Sequence, residues 1–431
     1  MHLTSLRDER LRRPRLPSDL ERHPDFLKLW AGQSVSLIGS QVTRLALPLA
    51  AVLTLGAGPA AMGLLGAVQL APYLLLGLFA GVIVDRLRRR PILIAADLGR
   101  AALLAVIPGL ALSGSLRLGH LYLIGFLLGA LELFFEVAHM SFLPSLVRRE
   151  QLPAANSLLQ MSDSVAQVAG PGLAGVLVQA LTAPIAIFVD ALSFLGSAAS
   201  LLLINAPERR RPASAPGPWR ELKDGLRLVF GHPWLRAIAG CTATMNFSAN
   251  VLMTVYILYA TRRLGLTAAV IGAIFAVGGA STVLGTVLAT PAATRLGLGR
   301  VLILAPLVIG AGSLLIPLAG SSGLVAVALL LGTQVLWGIG RPVFDINQLS
   351  LRQSMTSDDA QGRVNATMLF VIWGVIPIGS LLGGILGTSI GLRPTLAVGA
   401  LGMLLSVVWI ALSPVRRLRS LSAATPGQAA A

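Results

Sequence analysis

Long apolar blocks separated by short polar links run through most of the chain. Hydrophobic residues make up 55% of the sequence and charged residues only 12%. Each block has about the ~20 residues that an α-helix needs to cross a bilayer, and its apolar residues are continuous rather than spaced along one face. The pattern predicts an all-α membrane protein with twelve transmembrane helices. The predicted spans centre near residues 40, 72, 102, 131, 169, 194, 247, 279, 310, 335, 376 and 403.

Polar stretches divide these spans into two predicted bundles. We expect an N-terminal arm at 1–25, a six-helix bundle at 26–204, a linker at 205–232, a second six-helix bundle at 233–413 and a tail at 414–431. The linker is rich in proline and charge. Its second part has the amphipathic spacing of a helix, which either lies on the membrane or leads into span 7.

Several features recur 209 residues apart, which indicates a duplicated six-helix unit. Four pairs share this offset: Arg86 with Arg295, Glu132 with Arg341, Glu136 with Asp345, and Asn156 with Asn365. The prediction is a pair of pseudo-symmetric bundles rather than twelve unrelated helices.

The positive charge is distributed unevenly between the links. If the N-terminus lies in the cytoplasm, the cytoplasmic segments hold 27 of the 34 arginines and lysines. Basic links remain on the cytoplasmic side, so both termini are predicted to lie there. The net charge of +16 is therefore assigned to topology and anionic lipid headgroups, not to nucleic acid.

Polar side chains form stripes along spans 1, 4, 7 and 10, where a charged residue costs roughly 2.5–3.5 kcal/mol to insert at the bilayer centre. Such groups are candidates for function, although hydrogen bonding between helices remains an alternative for spans 1 and 7. The candidate substrate-cavity residues are Gln33, Ser40, Arg44, Asn246, Asn250, Gln334 and Arg341.

The acidic residues of these stripes suggest proton coupling. Glu132 and Glu136 lie one turn apart and repel each other unless one is protonated or a cation lies between them. We hypothesise that Arg44 pairs with Glu132, which leaves Glu136 to carry the proton. Arg341 and Asp345, also one turn apart, form a second candidate pair, and Asp345 is a further candidate for coupling.

The sequence offers no means of using ATP. A phosphate-binding loop needs Gly-Lys, whereas the two lysines, Lys28 and Lys223, each follow a leucine. Transport would then run on an ion gradient or downhill, and one proton supplies roughly 2.3 kcal/mol per 100 mV. No metal or cofactor site is predicted.

The link between spans 2 and 3 resembles the loop signature of the major facilitator superfamily. Its residues are Gly81, Asp85, Arg86, Arg89 and Arg90. The resemblance implies that they form a cytoplasmic gate, and that spans 1, 4, 7 and 10 line a central cavity between two bundles.

Span 5 contains Gly170, Pro171 and Gly175, which resemble the Gly-Pro signature of proton-coupled exporters in this superfamily. Glycine and proline allow helices to approach closely and to bend. The resemblance therefore implies a hinge here.

Further segments resemble the bacterial branch that includes macrolide efflux pumps and the enterobactin exporter. They are 26–39, 96–100, 143–147 and 351–365. The resemblance implies a monomeric, proton-coupled exporter of drugs or other lipophilic molecules in the bacterial inner membrane, and not an enzyme. Export of a siderophore or secondary metabolite is an alternative, and a non-transporting membrane sensor or scaffold is a third.

Overall fold

The computed structural model describes residue 20 and the ranges 23–205, 218–320 and 323–419. Within these ranges, 12 helices are long and apolar enough to cross a membrane, as the sequence predicts. The helices of the N-terminal half are α1 Pro24–Leu49, α2 Pro59–Arg86, α3 Arg89–Leu112, α4 Leu118–Leu146, α5 Leu152–Leu181 and α6 Ala183–Leu202. After α7 (Pro218–Gly231), the C-terminal half contains α8 Pro233–Leu258, α9 Ala268–Leu296, α10 Leu298–Leu318, α11 Leu324–Met355, α12 Asp358–Ser389, α13 Leu392–Leu405 and α14 Val407–Ala411.

The two halves repeat each other at the predicted offset of 209 residues. Helix α1 runs from Pro24 to Leu49, and α8 runs from Pro233 to Leu258. Each continues into a π-helical turn, at Ala50–Thr54 and Tyr259–Arg263, and each turn is followed by a positive-φ glycine. The repeat therefore extends to the irregular backbone, and the two six-helix bundles are pseudo-symmetric.

The repeat also holds where helices cross. A Cβ added at Gly129 of α4 would collide with the Gln69 carbonyl of α2, and one added at Gly338 of α11 would lie 2.5 Å from the Gly278 carbonyl of α9. These positions are 209 residues apart, so Glu136 of α4 and Asp345 of α11 occupy equivalent places.

Close packing at such crossings depends on small side chains. Gly39 of α1 lies against Ser193 of α6, and in the second half Ser248 of α8 lies against Gly402 of α13. The glycine and the serine have exchanged helices between the repeats. The crossing needs one glycine and one small partner, whichever helix supplies each.

Helix α7 is separate from α8 and packs on the first part of α12. A Cβ at Gly225 would lie 2.8 Å from the Arg363 carbonyl of α12. The α2–α3 link and α7 lie at the same end of the bundle, which we call the linker face. The opposite end, where α2 and α9 begin, is called the far face.

Candidate functional site: a charged cavity between two glycine seams

Two helix crossings join the halves, and they are copies of one another. In the α5–α9 seam, a Cβ at Gly175 would lie 3.0 Å from Gly272 Cα. In the α2–α12 seam, a Cβ at Gly384 would lie 2.9 Å from Gly63 Cα. Both contacts lie near the far face and leave no room for a side chain, so the halves meet backbone to backbone there.

Toward the linker face the α2–α12 seam opens. A Cβ built at Gly77 or Gly81 of α2, or at Gly362 of α12, would meet nothing within 4 Å. The α2–α12 seam is therefore closed toward the far face and open toward the linker face.

Three charged side chains of the N-terminal half face the space between the halves. Arg44 of α1 and Glu132 and Glu136 of α4 are exposed although they lie within membrane-spanning helices. Charged groups inside a membrane face water-filled cavities rather than lipid. The Tyr73 hydroxyl of α2 lies 3.4 Å from Glu136 Oε2, so α2 and α4 meet beside these charges.

The hypothesised pair of Arg44 with Glu132 is not formed in this conformation. In the described part of the chain no ion pair within 4.0 Å joins these two side chains. Instead, the Tyr73 hydroxyl donates a long hydrogen bond of 3.4 Å to Glu136 Oε2. The glutamates thus lack a cationic partner in the open cavity.

The second candidate pair is present in the C-terminal half. Arg341 Nε donates to Asp345 Oδ2 at 2.6 Å, and Arg341 Nη2 donates to Asn246 Oδ1 at 3.3 Å. Arg341 and Asp345 each have 39% exposed side chains, so water and a ligand can reach both. The amides of Asn246 and Asn250 donate to α8 carbonyls one turn earlier.

The two glutamines among the candidates are engaged inside their own halves. Gln33 is buried and donates to Ser197 Oγ of α6 at 3.3 Å. Gln334 is buried against Gly278 of α9. Ser40 is half-buried. Small residues opposite the glutamines make room for their amides, which sequence spacing along a single helix does not reveal.

The candidate gate residues have different environments. Arg90 Nε and Nη2 donate to the carbonyls of Leu201 and Leu202 at 2.9 and 2.8 Å, which ties the start of α3 to the end of α6. Arg89 is buried and Arg86 is exposed. Gly81 borders open space, and the side chain of Asp85 lies outside the described part of the structure. Arg90 therefore links helices of one half in this conformation.

The candidate hinge residues lie along the face of α5 that meets other helices. Gly170 packs on Gln41 of α1, whereas the Pro171 carbonyl and Gly175 contact Gly272 of α9. Two of the three thus belong to the seam between the halves.

Two aromatic residues that the polar stripes did not include complete the site. Tyr73 of α2 and Trp373 of α12 stack across the halves, with ring centroids 4.8 Å apart and planes 11° apart. They lie on spans 2 and 11, which carry no polar stripe. The offset of 209 could have found the glycines of the α2–α12 seam, because it relates Gly175 to Gly384 and Gly272 to Gly63.

A family model for the Major Facilitator Superfamily matches residues 29–376 and 238–429, nearly the whole described chain. The chain belongs to the Major Facilitator Superfamily. Membership confirms the family resemblance read from the loop after span 2. It makes the protein a multi-pass membrane protein of a transporter family, not of an enzyme family.

Curated relatives within the superfamily match over part of their length. Macrolide efflux protein A of Streptococcus pyogenes is 28% identical over 207 residues, which are 47% of this chain and 51% of that protein. The chain thus spans about half the length of the curated relatives it matches.

Solved superfamily structures share the fold over nearly the whole chain. A bacterial homologue of the iron transporter ferroportin in its inward-facing state has a TM-score of 0.73 at 18% identity, covering 90% of this chain and 98% of that one. The outward-facing state of such a homologue has a TM-score of 0.60 at 19% identity, with the same coverage. The higher score belongs to the inward-facing state.

Proposed function

We propose that this protein is a secondary active transporter that exports small molecules by alternating access and is driven by protons. The observation that carries the proposal is a charged cavity between two pseudo-symmetric halves, closed at the far face by the two glycine seams and open at the linker face. Parallel repeats with a central site are the architecture of such transporters.

The linker face is assigned to the cytoplasm. Most of the 34 basic residues lie in links that reach this face, and basic links stay inside. We place the protein in the bacterial inner membrane with both termini cytoplasmic, acting as a monomer. The conformation is then inward-open, in agreement with the order of the two TM-scores.

The charges of the cavity favour a lipophilic cation as substrate. Arg341 is paired with Asp345, so Arg44, Glu132 and Glu136 together leave one negative charge when both glutamates are ionised. A monovalent cation or a proton neutralises this charge, and the two would compete for it. The match to a macrolide efflux protein supports a large amphiphilic drug as the cargo.

We assign the coupling proton to Glu136, with Glu132 and Asp345 as carboxylates that adjust the cavity charge.

An opposing observation favours a second candidate function. Arg44 is exposed and forms no ion pair with Glu132. An anionic siderophore or secondary metabolite would use Arg44 as a ligand, and Arg341 after release from Asp345.

The test is efflux of a panel of cationic, neutral and anionic dyes from cells and proteoliposomes with an imposed pH gradient. Glu136→Gln should abolish extrusion against the gradient while downhill exchange continues, because only the coupling proton is lost. Glu150→Gln is the matched control, since Glu150 lies in the exposed turn before α5. Unchanged extrusion by Glu136→Gln would exclude Glu136 as the coupling group, and extrusion of anionic dyes alone would favour the second function.

A further inference from the structure

The stacked pair Tyr73–Trp373 lies on the α2–α12 seam between its glycine contacts and its open part. Nearer the far face, Gly384 lies on Gly63 and Gly387 on Pro59. One turn beyond Tyr73 toward the linker face, a Cβ at Gly77 would meet nothing within 4 Å. The aromatic pair therefore marks the boundary between the closed and the open part of the seam.

Tyr73 contacts both the partner half and the cavity carboxylate. Its ring stacks on Trp373 of α12, and its hydroxyl donates to Glu136 Oε2 of α4 at 3.4 Å. Within the described residues, this side chain thus connects a titratable group in one half to a surface of the other half.

The pseudo-symmetry does not require this arrangement. The positions 209 residues away from Trp373 and Tyr73 are Ser164 of α5 and Thr282 of α9. Their hydroxyls donate to carbonyls of their own helices, at Gln160 and Gly278. The aromatic layer is therefore particular to the seam beside Glu136.

Charged and titratable groups around Glu136 come from its own helix, which also carries the half-buried His139, and from each neighbouring helix. Glu132 lies on α4 itself, Arg44 on α1 and Tyr73 on α2. From α3, Arg100 stacks on the Phe135 ring, and its charge is paired with Asp97. Tyr73 is the group that donates a hydrogen bond to Glu136.

We propose that Tyr73 is a positioning residue that transmits the charge of Glu136 to the α2–α12 seam. Ionised Glu136 accepts the phenolic hydrogen bond, which holds the ring against Trp373 and keeps the far face closed. A proton on Glu136, or a cationic substrate paired with it, neutralises the negative charge that strengthens this hydrogen bond, and the weaker bond allows the seam to open. This inference rests on the proposed proton-coupled export, because an antiporter must not change conformation while its site is both empty and deprotonated.

The experiment measures opening of the far face without any substrate. Spin labels are placed at Leu53→Cys and Val325→Cys, which lie in different halves at the far face and are 55% and 74% exposed. Cys241→Ala removes the chain's single cysteine. Distances are recorded in lipid nanodiscs at a pH where Glu136 is ionised.

We expect Glu136→Gln to shift the ratio of open to closed far face by roughly fivefold, the size expected for one hydrogen bond of ordinary net strength. Tyr73→Phe, which keeps the ring and removes the hydroxyl, should give the same shift, and the double variant should add nothing further. Glu132→Gln is the matched control, and its effect should be the same with or without Tyr73→Phe. If Tyr73→Phe does not fold, Trp373→Leu should abolish the Glu136→Gln effect instead.

An equal Glu136→Gln shift with Tyr73 and with Tyr73→Phe would overturn the inference, as would no shift in either background. The outcome is independent of the efflux assay. Absence of proton-driven efflux by the parent protein, with intact coupling of the distances to Glu136 and Tyr73, would count against the proposed function alone.

Discussion

Arg100 of α3 is a buried charge that is paired inside the N-terminal half. Its guanidinium donates to Asp97, and its Cζ lies 4.3 Å from the Phe135 ring and 4.1 Å from the Phe194 ring. Asp97 is fully buried. A planar cation between two ring faces is a favourable arrangement that only arginine provides. The pair therefore joins α3, α4 and α6 inside the N-terminal half.

Removal of this cation should strongly destabilise the protein. Arg100→Leu is expected to destabilise the protein by about 3–5 kcal/mol, because it leaves the Asp97 carboxylate buried and unpaired. Equilibrium unfolding in detergent measures the loss. The free energy of unfolding of Arg100→Lys should lie between those of the parent protein and Arg100→Leu, since lysine keeps the charge but not the planar stack.

The double variant Asp97→Asn/Arg100→Leu supplies the control, because it removes both charges. It should be more stable than Arg100→Leu alone. If Arg100→Leu unfolds at the same denaturant concentration as the parent, the pair contributes nothing to the fold.

Among the helices, α2, α5, α9 and α12 carry most of the contacts between the halves. Gly63 and Gly384 form one seam, and Gly175 and Gly272 the equivalent one. Helices in a membrane associate through close van der Waals contact at small residues rather than through the hydrophobic effect. The seams are therefore held by close packing of small residues, and a side chain added at their glycines would collide with the opposite helix.

A single added methyl group should shift the equilibrium between the closed and the open far face. Gly384→Ala places a Cβ 2.9 Å from both Gly63 Cα and the Pro59 carbonyl, and overpacking of this kind costs about 1–3 kcal/mol. We expect at least a fivefold gain in far-face opening, measured with the same spin-label pair. Gly175→Ala should behave alike, because it is the equivalent position.

Gly77→Ala is the matched control on α2, where a Cβ meets nothing within 4 Å. It should leave the distances unchanged. If Gly384→Ala and Gly77→Ala gave identical distributions of the spin-label distance, close packing at Gly384 would not control opening of the far face.

For the whole molecule, one bond at the far face joins the halves across 205 residues of sequence. Arg262 Nη2, in the π-helical turn after α8, donates to the Ala57 carbonyl before α2 at 2.8 Å. The equivalent position in the first half is Leu53, which is exposed and cannot donate. This hydrogen bond between the halves therefore has no counterpart at the equivalent position, although the backbone around it is repeated.

Arg262→Leu should favour opening of the far face by roughly fivefold, because a hydrogen bond from a charged donor to a carbonyl is lost at an exposed site. Distances between the halves and the rate of downhill exchange both report the change. Arg263→Leu removes a neighbouring exposed arginine and should have little effect. An equal response to both variants would point to net charge at the far face instead of the bond.

Local sequence determined much of this architecture. Hydropathy located the twelve spans, because a bilayer demands about 20 apolar residues per helix regardless of what lies beside it. The offset of 209 was readable from Glu136 and Asp345, since both repeats must preserve the same helix crossings. The ion pair of Arg341 with Asp345 followed from helical spacing alone.

Tertiary structure decided which side of each apolar helix meets lipid, a neighbour or the cavity. Hydropathy does not distinguish these environments, because lipid and protein interior are similarly apolar. For that reason the sequence assigned Gln33 to the cavity although it bonds to Ser197, and it gave no sign that Tyr73 would meet Trp373. Contacts between residues hundreds of positions apart depend on how the halves are docked, which no single helix encodes.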